Sequence, residues 1–363
     1  MATVTVDLPT EQYDILIDRG LRADFGHHIR QVWPTKKRLV IVTDSNVGPL
    51  YLADTQARCE AVGFEVVPLT VPAGEESKSL ETLAELATQM IAHDIDRHDG
   101  VVTLGGGVMG DLGGMLAAIY MRGIPFIQIA TSLTAQVDAS VGGKTAVNFG
   151  NTKNILGVFH QPDLVLIDPN DLATLSDRDL AEGYGEVIKT SALAGPEFFA
   201  QTGQVMSCAN IRDQALSLIE QAITYKANIV CQDEKEAGCR QWLNFGHTLG
   251  HAVELLAHGN LRHGEAIGIG MVAIAKRLAQ QGLAPMELAD QLITRLTAVG
   301  LPIDDPNIGS DAFYACLRHD KKTRGDHVTM VSLDAIGKPT RITIAKSDLS
   351  SFMAGEKICY VKD

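Results

Sequence analysis

Apolar residues fall in short runs over the first half of the chain and at helical spacing over the second. Thr3–Val6 and Asp14–Asp18 predict two short strands of a hairpin. Arg38–Thr43 (RLVIVT), Glu65–Val71, Val101–Leu104, Phe126–Ile129 and Leu164–Ile167 predict buried parallel strands. A helix is expected from Ser79 to His93, with Leu80, Leu83, Leu86, Ala87, Met90 and Ile91 on one face. Strands separated by helices imply a parallel sheet with helices on its faces. The pattern changes at Asp168-Pro169-Asn170. Helices are then predicted over Leu180–Ala194, Ile211–Val230, Gly246–Leu256, Gly264–Gln281 and Pro285–Val299. Ser176, three residues before Asp179, resembles a capping-box start. The expectation is an α/β domain with a Rossmann-like parallel sheet over residues 1–170, then an all-α domain over 171–363. The default place for an active site is the cleft between two such domains.

Composition narrows the function classes. The chain has 363 residues, 45% hydrophobic and 21% charged, which excludes a disordered chain or a small disulfide scaffold. Its formal net charge is −13, a poor match to nucleic acid or an anionic membrane. No run approaches the ~20 apolar residues of a membrane helix. The start, MATVTVDLPTEQYD, lacks a basic segment followed by an apolar core, so no secretory signal is expected and the cytoplasm is the default. Six cysteines without a CxxC pair are expected to be thiols.

Val101–Leu104 runs into Gly105-Gly106-Gly107-Val108-Met109-Gly110-Asp111, which matches G-x-G-x-x-G between a strand and a helix. Glycines let backbone N–H groups approach a pyrophosphate, and the helix N-terminus adds a positive dipole. The plain alternative is a tight strand–helix turn. The loop also stands after two earlier strands instead of in the first βα unit, so a nucleotide would not bind in the ordinary Rossmann arrangement. Asp44, at the tip of an earlier strand, or Glu75 could serve a ribose instead.

From Leu112 to Pro162 the charged residues are Arg122, Asp138, Lys144 and Lys153, a local balance of +2 inside an acidic chain. Asp138 to Thr145 lacks P-loop spacing, which excludes a P-loop NTPase. Sparse cations in glycine-rich surroundings suit a small anion. Lys189, Lys226, Arg240, Lys321 and Lys322 add cations from the second half.

His247 and His251 stand at i, i+4 and share a helix face. Thr248 occupies the glutamate position of H-E-x-x-H, so this is no zincin. His263 opens another predicted helix, and Glu186 lies on a helix otherwise facing the core. The three histidines fall within 17 residues, beside glycines expected to open space. A catalytic Zn²⁺ takes three N/O ligands, so four candidates are one too many. One histidine could carry a proton or support a ligand. His258 reads as an ordinary loop residue.

Together these residues resemble the 3-dehydroquinate synthases, a branch of the sugar-phosphate cyclases. The resemblance runs from about Leu39 to about Leu333. It is densest in GGGVMGDLGG (105–114), YMRGIPFIQIATSLTAQVDASVGGKTAVN (120–148), KNILGVFHQP (153–162), GEVIKT (185–190), LNFGHTLGHAVE (243–254), RHGEAIGIGM (262–271) and HDKK (319–322). It implies NAD⁺ and a divalent metal, zinc or cobalt, acting on an anionic sugar phosphate, 3-deoxy-D-arabino-heptulosonate 7-phosphate. Transient oxidation at C5, phosphate elimination, reduction, ring opening and an internal aldol would yield 3-dehydroquinate, in the shikimate route to aromatic amino acids. The resemblance also implies a homodimer.

By motif, Glu186, His247 and His263 would hold the metal, and His251 would be placed for proton transfer. Arg122, Lys153 and Asn154 would hold the phosphate. Lys144, Lys189, Lys226, Arg240 and Asn244 would line the substrate pocket, with Asp138 steering one of these cations. Of these, Lys144, Lys189, Arg240 and Asn244 join His251 in the catalytic set. Lys321 or Lys322 would reach the phosphate or carboxylate end. NAD⁺ would lie on Asp44, Glu75, Lys78, Gly106, Gly107, Val108, Met109, Gly110, Asp111, Thr131 and Ser132, with Lys144 and Lys153 adjoining it.

Two departures stand out. Phe149-Gly150-Asn151-Thr152-Lys153-Asn154 replaces the family's H-P-L-G-K-N, and Gly185 stands where alanine is usual. Competing readings are another sugar-phosphate cyclase, a metal-dependent polyol dehydrogenase of the same two-domain fold, and a non-catalytic NAD- and metal-binding regulator. Gly142-Gly143-Lys144, Asn244 and Asp320-Lys321-Lys322 favour the dehydroquinate branch.

Overall fold

The computed structural model describes residues 1–150, 152–319 and 323–362. The chain forms two compact units, Met1–Leu175 with Ala215–Lys235, and Ser176–Gln214 with Glu236–Asp363. The expected break at 170 therefore falls at Leu175, and the expected continuous second domain is interrupted. Helical period shows that a segment has an apolar face but not which core receives it.

The first unit begins with β1 (Ala2–Asp7) and β2 (Gln12–Ile17), the predicted antiparallel hairpin. Next come α1 (Phe25–Val32), β3 (Arg38–Asp44), α2 (Gly48–Ala61), β4 (Glu65–Val71), α3 (Leu80–Ala92), β5 (Gly100–Gly105) and α4 (Gly107–Ile119). After these come β6 (Phe126–Ala130), β7 (Lys144–Phe149), β8 (Thr152–Phe159) and β9 (Leu164–Ile167). Seven strands make one sheet in the order β1-β2-β9-β6-β5-β3-β4, parallel from β2 onward.

Successive residues of a strand face opposite sides. Val40 and Val42 pack with Leu83, Leu86 and Leu112 on one face of the sheet. Leu39 and Ile41 pack with Phe25, Ile29 and Trp33 on the other. That is why RLVIVT reads as a continuous apolar run. Ser79 caps α3 by accepting from Thr82 N–H at 3.2 Å. The β7–β8 hairpin has no counterpart among the predicted elements. Its second strand is almost wholly exposed, so it has no buried face to leave a period-two signature.

The second unit holds α5 (Asp177–Ala194) and α6 (Pro196–Thr202). α7 (Cys208–Gln232) starts here, with its residues from Ala215 on grouped in the first unit. Next come α8 (His247–Leu256), α9 (His263–Gln280), α10 (Met286–Ala298) and α11 (Asp311–His319). The end of the chain adds β10 (Thr323–Arg324), β11 (His327–Ala335), β12 (Lys338–Ala345), α12 (Leu349–Ala354) and β13 (Val361–Lys362). Ser176 caps α5 by accepting from Asp179 N–H at 3.1 Å. The unit is mainly helical, as expected, but it is not all-α: β10 to β13 form a four-stranded antiparallel sheet. β12 alternates cleanly, with Thr340, Ile342 and Ile344 buried and their neighbours half-exposed.

The helices α5, α8 and α9 meet through glycine. A Cβ on Gly270 of α9 would lie 2.0 Å from the carbonyl oxygen of Gly246, just before α8. A Cβ on Gly264 would lie 1.9 Å from the Glu182 carbonyl of α5. These glycines close space between helices where the sequence pattern leads one to expect open space. Gly270→Ala is expected to cost about 1–3 kcal/mol through overpacking. Helical circular dichroism in urea would read it as an earlier transition; an unchanged midpoint would mean the helices part without cost.

Candidate active site

In the first unit the glycine loop sits where the strand order reverses. The chain leaves β3 towards β4 on one side and leaves β5 towards β6 on the other. The carboxyl ends of two such strands form the usual ligand crevice of an open parallel sheet. The loop is thus at a topological switch point although it is not in the first βα unit. A Cβ on Gly105 would lie 3.7 Å from Asp44 Oδ2, so the carboxylate at the end of β3 faces the start of the loop. Asp44 Oδ1 accepts from the Asn46 and Val47 N–H groups at 2.8 and 2.9 Å.

The loop residues Gly106, Gly107, Val108, Met109, Gly110 and Asp111 lead into and through the first turn of α4. A Cβ on Gly106 would meet Ser132 Oγ at 3.0 Å, and one on Gly110 would meet Gln128 Oε1 at 2.6 Å. Glycine here lets the backbone approach β6 and the residues just after that strand. Thr131 N–H donates to the Gly105 carbonyl at 3.0 Å and draws Thr131-Ser132 alongside. A glycine-lined helix N-terminus with a carboxylate at the neighbouring strand end fits a dinucleotide.

Charged side chains gather beside this loop. Lys78, 4% exposed, lies 2.5 Å from Asp111 and 3.7 Å from Glu75. Burial favours a neutral amine, but Asp111 and Glu75 outweigh it and hold the Lys78 pKa above its ordinary value. Asn148, which no sequence motif singles out, donates to Glu75 Oε1 at 2.9 Å and accepts from Asn154 N–H at 2.9 Å. Lys226 of α7 lies 2.9 Å from Asp138 Oδ1 and donates to the Asp138 carbonyl at 2.7 Å. It is a cation beside Asp138.

Arg122, Lys144 and Lys153 are exposed side chains of this unit. Arg122 follows Met121, and both have positive φ (70° and 49°). Lys144 opens β7, where His160 N–H donates to the Gly143 carbonyl at 2.8 Å. Across the departed segment, Phe149 pairs with Thr152, so the hairpin is kept. Asn151, Lys321 and Lys322 lie outside the described residues.

In the second unit Glu186 of α5, His247 and His251 of α8 and His263 of α9 come together. The ligating atoms of the three histidines all lie within 4.8 Å of one another. Glu186 Oε1 stands 3.7 Å from His247 Nε2 and 3.3 Å from His263 Nε2. Glu186 is 1% exposed, and Lys189, one turn on and equally buried, lies 2.5 Å from its Oε2. Asn244 donates to Glu236 Oε1 at 2.6 Å, near the fully buried Arg240 in the turn Cys239–Asn244. No sequence motif singles out Glu236.

The outer nitrogens of two of the imidazoles are held. His247 Nδ1 lies 3.1 Å from the Phe245 carbonyl, and His263 Nδ1 lies 3.1 Å from Glu254 Oε2. Carbonyls and carboxylates only accept, so both Nδ1 atoms carry the proton and both Nε2 atoms face Glu186. Desolvation alone would lower the His263 pKa. The hydrogen bonds to Glu186 and Glu254 outweigh it and push the pKa up to about 10. Three imidazoles and a carboxylate form a donor set suited to a borderline divalent cation.

The chain matches "3-dehydroquinate synthase N-terminal" over residues 68–182 and "3-dehydroquinate synthase C-terminal" over residues 183–323. It is 56% identical to the 3-dehydroquinate synthase of Leuconostoc mesenteroides over 353 residues, covering 97% of this chain and 99% of the relative. A solved 2-deoxy-scyllo-inosose synthase, complexed with carbaglucose-6-phosphate, NAD⁺ and Co²⁺, superposes with a TM-score of 0.88. It is 24% identical, over 98% of this chain and 100% of that one, and so shows the fold alone. A 2-epi-5-epi-valiolone synthase from Streptomyces hygroscopicus, with NAD⁺ and Zn²⁺ bound, gives 0.84 at 28% identity, over 96% and 97%. Because the two matched segments adjoin one another over most of the chain, and a near-full-length relative shares over half its residues, the chain belongs to the 3-dehydroquinate synthase family.

Proposed function

We propose that this chain converts 3-deoxy-D-arabino-heptulosonate 7-phosphate to 3-dehydroquinate and phosphate, as a carbon–oxygen lyase of the shikimate pathway. The observation that carries the reading is the convergence of Glu186, His247 and His263 in a chain of this family. NAD⁺ supplies a reversible hydride acceptor and the divalent metal, zinc or cobalt, a Lewis acid. The first unit would bind NAD⁺, and the second would bind the metal and much of the substrate.

Each residue then has a task that its surroundings support. Glu186, His247 and His263 hold the metal, since two Nδ1–H groups are already anchored and their Nε2 atoms share one carboxylate. His251, whose ring centroid lies 5.2 Å from that of His247, is left to carry a proton. Lys189 places a positive charge beside Glu186. Arg122, Lys153 and Asn154 grip the phosphate, with the Asn154 backbone fixed through Asn148. Lys144, Lys226, Arg240 and Asn244 bind the carboxylate and hydroxyls, with Asp138 orienting Lys226 and Glu236 orienting Asn244. Lys321 and Lys322 are proposed for the same anionic ends.

The loop from Gly106 to Asp111 would hold the cofactor, with Asp44 for its ribose and Thr131-Ser132 beside it. Glu75 and Lys78 fix Asp111 for the nicotinamide amide. Carried over from the family, the enzyme works as a cytoplasmic homodimer. No helix among the described residues is long and apolar enough to cross a membrane.

The deciding assay is phosphate release from the heptulosonate 7-phosphate with zinc and NAD⁺, followed by absorbance for NADH. Phosphate release without lasting NADH, with 3-dehydroquinate as product, is expected. Accumulating NADH with a simple polyol and no phosphate would make the chain a dehydrogenase. Turnover of a different sugar phosphate would make it another cyclase.

Two substitutions test the assignments. His263→Ala is expected to lower metal affinity by more than about 100-fold and to remove activity with it. Full metal content and full activity would remove His263 from the site. Lys153→Ala should lose a charge-assisted contact worth about 1.5–3 kcal/mol, raising the substrate KM by about 10–100-fold while NAD⁺ affinity changes little. An unaltered KM and kcat would end its phosphate role.

A further inference from the structure

The face of α8 that carries His247 and His251 continues for another turn. Residue 254 stands at i+7 from His247 and i+3 from His251, so all three side chains lie along one stripe. Glu254 is therefore part of the same surface as the imidazoles. Its Oε2 lies 3.1 Å from His263 Nδ1, on the first residue of α9. The other nitrogen of that ring, Nε2, lies 3.3 Å from Glu186 Oε1. The ring is thus stretched between two carboxylates from two different helices. The inner one belongs to the proposed ligand set and the outer one does not.

An ionised carboxylate can only accept, so Glu254 requires the proton on Nδ1. With Nδ1 keeping its proton, Nε2 is the nitrogen left for a metal, which would bind there in place of a proton. The hydrogen bond also fixes the rotation of the ring about its side-chain bonds. His247 has the matching arrangement from a different source, the Phe245 carbonyl 3.1 Å from its Nδ1. The two supports differ in kind. A backbone carbonyl is held by the fold whatever the side chain, whereas the His263 support is a side chain and can be altered without touching the backbone.

We infer that Glu254 is a positioning residue for the metal centre, holding His263 through Nδ1–H so that Nε2 is presented inward. The inference rests on the proposed metal site. What matters is that an acceptor reaches Nδ1, and this separates it from a role for negative charge alone. Glu254→Gln keeps the reach and an acceptor oxygen but removes the charge. Glu254→Asp keeps the charge but withdraws the oxygen by one methylene.

The test is titration of metal-free protein with Co²⁺, read by the visible ligand-field spectrum, with NAD⁺ affinity measured in parallel. Unsubstituted protein is expected to give a saturating spectrum that His263→Ala abolishes. If it does not, the metal site itself fails. Given that result, Glu254→Asp should bind Co²⁺ about 10–100-fold more weakly, the usual cost of losing an outer partner of a ligand. Its spectrum should shift, and its NAD⁺ affinity should be unchanged. Glu254→Gln should stay within about fivefold of the unsubstituted protein and keep its spectrum. Wild-type affinity in both variants would overturn the inference while leaving the metal site standing. So would equal losses in both, or a loss in Gln with none in Asp, because each would show that the acceptor's reach is not what counts.

Discussion

The second unit depends on how closely three helices can approach. An α-helix with ordinary side chains keeps its neighbours about 8–10 Å away, axis to axis. Here α9 presses its glycines onto backbone carbonyls of α5 and of the turn before α8. Across these contacts a glutamate on α5 and imidazoles on α8 and α9 come within a few ångströms of one another. Gly185 belongs to the same contact, because a Cβ there would lie 2.7 Å from the Gly264 carbonyl. The family's usual alanine at this position would need α9 to stand slightly further off. Glycine next to Glu186 therefore goes with a tighter helix pair.

The first unit obeys a different constraint, the order of strands. The loop after β5 and the carboxylate after β3 are neighbours because those strands pair and their connections diverge. Beside the loop the buried Lys78 sits between two part-exposed carboxylates, Glu75 and Asp111, with Asn148 attached to the first. Burying an isolated ammonium is costly, and partners on both sides are what make it tolerable.

Much of this is legible as local pattern. Strands buried on both faces, the Ser79 and Ser176 caps, the glycine loop and the shared face of His247 and His251 all depend on residues close in sequence. The features that are not legible depend on distance along the chain. Nothing near Asp138 signals that Lys226, 88 residues later, is a partner. Nothing in α7 says that its later residues join the first unit. Glycines 264 and 270 have the same letter whether they open a pocket or close a contact. The β11–β12 hairpin does carry a signal, the alternation Thr340, Ile342, Ile344, but the long helical stretch before it outweighs that signal. Glu254 escapes notice in the sequence because a glutamate on a helix is ordinarily a solvated surface group. Only the position of α9 makes it a partner of His263.

Stability alone does not account for the charges inside the second unit. Glu186, Lys189 and Arg240 are each only 1% exposed. Apolar residues of similar volume in such places are often neutral or stabilising by comparison. Lys189 and Glu186 are one helical turn apart and compensate each other locally. The imidazoles are what link that carboxylate to α8 and α9, and these links are arranged by nitrogen, Nε2 inward and Nδ1 outward. His263 stands between two carboxylates, so a cation bound at Nε2 would take the place of a proton there while Glu254 kept the one on Nδ1. A common inward direction on two rings from different helices is the arrangement that a single cation needs.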